Sequence, residues 1–158
     1  MLQRFITASF LLAALVSCSP SRTCITGVAD LPLKSTALPA DSWAAVPLRA
    51  NARYLLYGTN TEAERRNRLG DYYHVRWNDA DPQAHVRLVM HYTQARTAGK
   101  VLTRTLDFPA PRKPAFDRKA DFFFSGPERA RNGDILSWKI DLFVNDTLMD
   151  TKKSFLWE

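Results

Sequence analysis

The chain has 158 residues, of which 46% are hydrophobic and 24% are charged, a balance that suits one folded domain. Its six glycines argue against a low-complexity chain, and its two cysteines leave the fold to packing rather than to a framework of disulfides. The formal net charge of +6 indicates either a surface that faces anions or a solvated basic surface.

The N-terminal segment has the pattern of an export signal. Arg4 and the α-amino group provide a short positive region. The uncharged stretch from Phe5 to Val16 is shorter than the roughly 20 residues that a transmembrane helix needs. The pattern therefore favours a signal peptide over a membrane span.

The segment ends in the residues Leu15-Val16-Ser17-Cys18. They resemble the lipobox of bacterial lipoproteins, which implies that residues 1 to 17 are removed and that Cys18 carries a lipid anchor. Ser19, rather than Asp, follows Cys18, and the same resemblance then favours the periplasmic face of the outer membrane in a Gram-negative cell. An ordinary secretory signal and an uncleaved anchor stay open, although the first prefers a small residue where Leu15 stands.

The state of the second cysteine, Cys24, depends on the first. If Cys18 is acylated, Cys24 is a free thiol or pairs with another molecule. If it is not, a disulfide between Cys18 and Cys24 is open in an oxidising compartment.

Residues 18–50 have the composition of a tether, with small residues, no sustained period and prolines at Pro20, Pro32, Pro39 and Pro47. Part of this segment, Ser42 to Leu48, is expected to dock as an edge strand, with Trp43 filling an apolar gap. After the tether, Arg53 to Tyr57 predicts a short strand. Thr61 to Leu69 predicts one or two helical turns that end at Gly70.

From Asp71 onward, apolar residues recur at every second position, which is typical of a strand with one buried face. Asp71 to Asn78 predicts a strand with Tyr73, Val75 and Trp77 on one face. Two more strands are predicted from His85 to Thr93 and from Val101 to Phe108. Three prolines follow, which predict an exposed crossing from one sheet to another, at Pro109, Pro111 and Pro114.

The last third of the chain predicts a strand and a hairpin. Phe122, Phe123 and Phe124 stand in a row, which suits a strand covered on both faces. Asn145-Asp146 predicts the tight turn of a hairpin that returns through Thr147 to Trp157. The strand before this turn has one apolar face, formed by Leu136, Trp138, Ile140, Leu142 and Val144.

Together these elements predict an all-β fold, a single antiparallel sandwich of about six or seven strands in residues 51–158. The segment from Ala130 to Trp138 resembles the entry to the penultimate strand of immunoglobulin-like and fibronectin-type sandwiches. There a turn with Gly leads into a strand whose early aromatic packs at the corner. The resemblance implies an immunoglobulin-like sandwich in which Trp138 takes that place.

Three histidines and an acidic turn form a pattern that could bind a metal ion. His74 and His91 are expected on neighbouring strands, where His85 or the turn with Asp79 and Asp81 could add a third ligand. Exposed polar positions on half-buried strands explain the same residues. Neither a nucleophile elbow nor a glycine-rich phosphate loop occurs, and no carboxylate pair suits glycoside hydrolysis, so no catalytic residue and no cofactor are predicted.

Two functional hypotheses follow. The first is a non-catalytic binding or scaffold module, held at the membrane by the lipid on Cys18, for another envelope protein or an acidic envelope polymer. Nucleic acid is a poor partner for an exported protein. The arginines expected to face anions, or else to be solvated, are Arg65, Arg66, Arg68, Arg129 and Arg131. The second hypothesis is a small envelope metal-binding protein or hydrolase that uses His74, His85 and His91.

Overall fold

The computed structural model describes residues 22–37, 45–113 and 117–157. The predicted signal peptide, Cys18 and Trp43 lie outside these residues. The elements in chain order are β1 (Cys24–Asp30), α1 (Val46–Leu56), α2 (Glu62–Asn67), β2 (Gly70–Asn78), β3 (Val86–Gln94), β4 (Leu102–Phe108), β5 (Arg118–Ser125), α3 (Gly126–Asn132), β6 (Ile135–Val144) and β7 (Thr147–Lys153).

The strands form two antiparallel sheets. One sheet has the order β1-β2-β5 and the other has the order β4-β3-β6-β7. The chain passes from one sheet to the other between β2 and β3, between β4 and β5, and between β5 and β6. The crossing between β4 and β5 is the one that the proline-rich stretch predicts. The described residues thus confirm the predicted all-β sandwich, and its arrangement is compatible with an immunoglobulin-like fold.

The core lies between the two sheets and follows the predicted alternation. On β2, Tyr73, Val75 and Trp77 point inward and are buried, while His74 and Arg76 point outward. Because each sheet hides one face, successive residues alternate between the core and solvent. The buried residues of this core are Ile25, Tyr73, Val75, Trp77, Val86, Leu88, Met90, Tyr92, Ala120, Phe122, Phe124, Ile140 and Leu142.

The predicted final hairpin is confirmed. Asn145 and Asp146 connect β6 to β7 with φ values of 47° and 64°, the left-handed pair that a two-residue hairpin turn requires. Leu136 departs from the prediction, since its side chain is 54% exposed. The register shifts where β6 begins opposite Thr93 and Gln94, so Ile135 instead of Leu136 packs against the core.

The prediction for the three phenylalanines is wrong for the middle one. Phe122 and Phe124 are buried, whereas Phe123 is 58% exposed. β5 is an edge strand of the three-stranded sheet, and Phe123 lies on its outer face, opposite the buried Phe122 and Phe124. The strand therefore buries only alternate residues.

The predicted strand from Arg53 to Tyr57 is also wrong. Residues up to Leu56 belong to α1, and Val46 to Leu48, part of the expected docked strand, form the first turn of this helix. The edge strand of this region is instead β1, which lies within the expected tether and pairs with β2. Gly70 is the first residue of β2, not a helix cap. A Cβ atom there would lie 2.3 Å from the carbonyl oxygen of Phe124.

Arg104 closes the gap between the edges of the two sheets. It lies on β4, and its Nη1 donates to the carbonyl oxygen of Phe123 on β5 at 2.5 Å. Its Nη2 donates to Glu128 Oε2 at 2.6 Å, and its guanidinium lies 4.4 Å from the centre of the Phe124 ring. A charged side chain directed inward from an edge strand also opposes pairing with other chains.

Candidate functional site

Helices gather at one end of the sandwich because of how they join the strands. α2 leads into β2 at Gly70, and α3 leaves β5 at Ser125, which is the residue paired with Gly70. α2 and α3 contact each other. We call the surface formed by α1, α2 and α3 the helical end. β1 begins at the opposite end of the sheet, where Cys24 pairs with Asn78.

α1 is held to the sandwich by a small apolar cluster. Ala52 and Leu55 are buried against Leu33, and partly buried neighbours complete the contact, namely Leu56, Leu69 and Tyr72. Pro47 stands in the first turn, where its missing N–H is not needed. The buried side of α1 fixes its outward side, on which Tyr54 is 73% exposed and Tyr57 is 86% exposed.

α2 is short and depends on its cap. The Thr61 hydroxyl accepts the Glu64 N–H at 3.1 Å, and Glu64 Oε2 accepts the Thr61 N–H at 3.1 Å, which completes a capping box. The backbone N–H groups of Asn60 and Thr61 lower the pKa of Glu64, because they bind its charged form. The cap fixes where α2 begins and thereby where its arginines point.

The arginines predicted to face anions lie on two helices that contact each other. Arg65, Arg66 and Arg68 belong to α2 or its C-cap, and Arg129 and Arg131 belong to α3. Two of these five form ion pairs with described carboxylates: Arg66 with Glu62 at 3.3 Å and Arg129 with Asp134 at 2.7 Å. Residues 45–68 as a group contain five arginines and two glutamates, with neither lysine nor aspartate. The helical end is therefore strongly basic.

A cleft between α1 and α2 is lined by two arginines of this basic surface. It has a volume of about 330 Å³ and is lined by Thr36, Arg53, Leu56, Tyr57, Thr59 and Arg65. We call it the α1–α2 cleft. Within the described ranges, neither Arg53 nor Arg65 has a carboxylate partner. The cleft thus offers two unpaired guanidinium groups beside an aromatic ring.

An ion network around the buried Asp71 supports the helical end. Asp71 on β2 is buried, and its Oδ2 accepts the N–H of Ile135 at 3.0 Å, which ties β2 to the start of β6. Lys34 bridges Asp71 at 2.5 Å and Asp134 at 3.0 Å. The pKa of Asp134 is lowered: burial acts to raise it, but the hydrogen bonds and charges of Lys34 and Arg129 outweigh that effect.

The three histidines do not converge. His74 lies on β2 and His91 on β3, which belong to different sheets, so the expectation of neighbouring strands is wrong. His74 Nδ1 lies 2.5 Å from Asp121, His85 Nε2 lies 3.5 Å from Asp107, and His91 Nε2 lies 3.4 Å from Asp141. Each histidine thus has its own carboxylate. In the part of the chain that the structure describes, no His, Cys, Asp and Glu side chains form a group of three or more suited to a metal ion.

Two arginines bind the buried carboxylate of the acidic turn. Asp79 is buried and forms two hydrogen bonds with Arg112, at 2.9 and 3.0 Å, and one with Arg118 at 2.5 Å. Arg112 also donates to the carbonyl oxygens of Ala84, Phe108 and Asp81. This network joins the turn after β2 to the crossing between β4 and β5.

The predicted lipidation site can be related to the fold only through its neighbour. Cys24 is a half-buried free thiol in β1, and Cys18 lies outside the described residues. Among the helices that the structure describes, none is long and apolar enough to cross a membrane.

Comparison with known proteins found no match to a family model, a curated protein or a solved structure.

The sequence analysis missed Arg53, Tyr54 and Tyr57 as site residues, because it assigned them to a strand. The spacing of Leu48, Ala52 and Leu55 was the available signal, since positions four and three residues apart share one face of a helix. Pro47 just before them would mark the start of that helix.

Proposed function

We propose that the protein is a lipid-anchored, non-catalytic binding module that holds an anionic polymer of the bacterial cell envelope at its helical end. The observation that carries the proposal is the arginine-rich helical end with its exposed tyrosines. Arginine binds phosphate and carboxylate groups through a planar fork of donors. Tyrosine adds an apolar face with a polar tip, as many binding surfaces require.

The position of the lipobox supports this arrangement. Cys24, the first residue of β1, lies six positions after Cys18 in the chain. Even when fully extended, such a segment spans only about 20 Å. The lipid on Cys18 would thus hold the end of the sandwich that contains Cys24 and Asn78 near the membrane.

The helical end lies at the far end of the strands from this attachment. β2 has nine residues, which corresponds to a length of about 30 Å. A sandwich that stands upright on its anchor therefore presents the helical end to the envelope space rather than to the lipids beneath it. An acidic polymer fits this position better than the head groups of the anchoring membrane.

The positive charge of the helical end favours an anionic polymer over the surface of a protein with an average number of acidic residues. A polymer with repeated anionic groups can engage several arginines at once, and each arginine near such a surface contributes about 1 kcal/mol at moderate salt. Attraction of this kind weakens as salt rises, because exposed charges are screened over about 8 Å at physiological ionic strength.

The test is binding of the detergent-solubilised full chain to lipopolysaccharide, which serves as a phosphorylated glycan probe and not as the native ligand, with neutral dextran as the negative probe. Replacing Arg65 and Arg68 by Gln should weaken binding about tenfold or more. The matched control replaces Arg76 and Lys119, exposed residues on the outer face of the three-stranded sheet, by Gln. This control should bind within about twofold of the unaltered chain.

Two results would overturn the proposal. One is the absence of lipopolysaccharide binding at low salt. The other is an equal loss in both double variants, which would show a general charge effect without a defined surface. Recovery of an envelope protein whose binding depends on Arg65 and Arg68, with no polymer binding, would favour the protein partner instead.

A further inference from the structure

We infer that the α1–α2 cleft binds the phosphate group of a phosphorylated sugar. This inference rests on the proposed function and deepens it, because it names the chemical group that the helical end recognises. In this open cleft, arginines of two different helices line one space: Arg53 of α1 and Arg65 of α2.

The charge of the cleft matches a dianion. A phosphomonoester carries a charge between −1.5 and −2 at pH 7 and has three acceptor oxygens, whereas a carboxylate carries one charge and two oxygens. Two guanidinium groups without carboxylate partners among the described residues can each supply a fork of donors to such a group. A single carboxylate would leave one of them uncompensated.

Glu62, an acidic residue of α2, does not pair with these arginines. Glu62 Oε1 accepts from the Thr36 hydroxyl at 3.1 Å and from Arg66 Nε at 3.3 Å. Arg66 is thus the partner of Glu62, and it is not among the residues that line the cleft. Among the described residues that line the cleft, none is acidic, so none of them repels a phosphate group.

The size and the rim of the cleft favour a sugar over a bare ion. Its volume of about 330 Å³ is at the lower limit for small-molecule sites, which suits one monosaccharide with its phosphate. Tyr57 lines the cleft and is 86% exposed, so its ring is free to lie against the apolar face of a sugar. Inorganic phosphate cannot use this contact.

The phosphate could belong to an envelope glycan or to a phospholipid head group. We test both sources by calorimetric titration of the detergent-solubilised full chain with glucose 1-phosphate and with glycerol 3-phosphate. Inorganic phosphate, glucuronate and glucose are the further probes. Glucose 1-phosphate should bind most tightly, glycerol 3-phosphate and inorganic phosphate more weakly, and glucose should not bind.

Variants separate the guanidinium contacts from general charge. Arg53→Gln and Arg65→Gln should each weaken binding of glucose 1-phosphate by about tenfold, as expected when a charged hydrogen bond is lost. Arg53→Lys keeps the charge but loses the fork, so it should restore only part of this loss. Arg76→Gln removes an exposed arginine on the outer face of the three-stranded sheet, away from the cleft, and should change the affinity by less than about twofold.

Tyr57 and pH provide two independent readouts. Tyr57→Ala should weaken binding of glucose 1-phosphate and leave binding of inorganic phosphate unchanged. Affinity for glucose 1-phosphate should rise between pH 5 and pH 7, because the second pKa of a phosphomonoester is about 6. Glucuronate, which is already ionised at pH 5, should show no such rise.

The outcomes distinguish this inference from the proposed function. If glucose 1-phosphate does not bind but lipopolysaccharide still binds through Arg65 and Arg68, the phosphate cleft is wrong and the anionic surface stands. If glucuronate binds as tightly as glucose 1-phosphate, the cleft does not select phosphate. If glycerol 3-phosphate binds best and Tyr57→Ala has no effect, the ligand is a lipid head group, and the inference that the cleft binds a phosphorylated sugar is wrong.

Discussion

At the scale of single residues, Asp79 holds one end of the sandwich together through Arg112 and Arg118. Its side chain is only 1% exposed, so its charge depends on these partners rather than on water. Burial on its own raises the pKa of Asp79, but the hydrogen bonds and charges of the two arginines outweigh burial and lower it below the ordinary value of 3.8.

The lowered pKa predicts acid sensitivity. Because the folded-state pKa lies below the unfolded value, the stabilisation is fully present above about pH 4 and is lost as the pH falls through the folded pKa. Urea unfolding measured from pH 7 down to pH 2 should therefore show a steeper loss of stability below pH 4 in the unaltered chain than in Asp79→Asn.

Asp79→Asn should also lower the free energy of unfolding at pH 7 by about 3–5 kcal/mol, because it leaves two guanidinium groups without their buried carboxylate. Asp146→Asn is the control. Asp146 is exposed and pairs with Arg87 at 2.9 Å, so its loss should cost less than about 1 kcal/mol. Equal effects of the two substitutions would show that the buried network adds no stability beyond that of a surface pair.

At the scale of elements, the short helix α2 shows how a local cap positions a binding surface. With six residues, α2 is too short to be stable by propensity alone. Its capping box and its contact with α3 hold it in place, and Arg65 depends on this placement. The capping pattern of Thr61 and Glu64 is visible in the sequence, and the predicted helical segment was found where the pattern indicates.

Thr61→Ala should lower the free energy of unfolding by about 1 kcal/mol, because the Glu64 N–H loses its side-chain acceptor. It should also weaken binding of lipopolysaccharide, since Arg65 would be less well placed. Chemical denaturation and the binding assay measure the two effects. Thr61→Ser keeps the hydroxyl and should retain most of both properties; identical behaviour of Thr61→Ser and Thr61→Ala would argue against the cap as the cause.

The elements that were predicted correctly are strands with one face against the core and the other face outward. Core residues recur at every second position of β2, β3 and β6, as at Leu88 and Met90 of β3, because one face of each strand lies against the interior of the sandwich. α1 was misassigned because its five-residue stretch from Arg53 to Tyr57 contains aromatic and aliphatic residues typical of strands. The helical spacing of Ala52 and Leu55 decides the structure, since α1 buries these two residues against Leu33.

At the scale of the whole molecule, β1 determines how far an anchor on Cys18 can separate the domain from a membrane. The sequence analysis placed a tether up to residue 50, but β1 already pairs with β2 at residues 24–30. Attachment at Cys18 would then restrict the domain to the vicinity of the membrane and orient its helical end outward.

Cys18→Ala should abolish acyl labelling and move the protein from the membrane fraction to the soluble fraction. The matched control is Cys24→Ala, which removes the other cysteine and should leave labelling and fractionation unchanged. Fractionation with metabolic fatty-acid labelling measures both variants. Continued acylation and membrane attachment of Cys18→Ala would refute the lipobox assignment.

The fold class, most strand positions and the hairpin at Asn145 and Asp146 follow from the amino-acid sequence, because alternation and turn chemistry are local properties. The arginines of α2 and α3 are also visible in the sequence. Which of these residues meet depends on the tertiary structure. It separated His74 from His91 by placing their strands in different sheets, and it brought Arg53 to Arg65 by packing α1 on Leu33. Such contacts depend on burial between segments far apart in the chain, which no local pattern specifies.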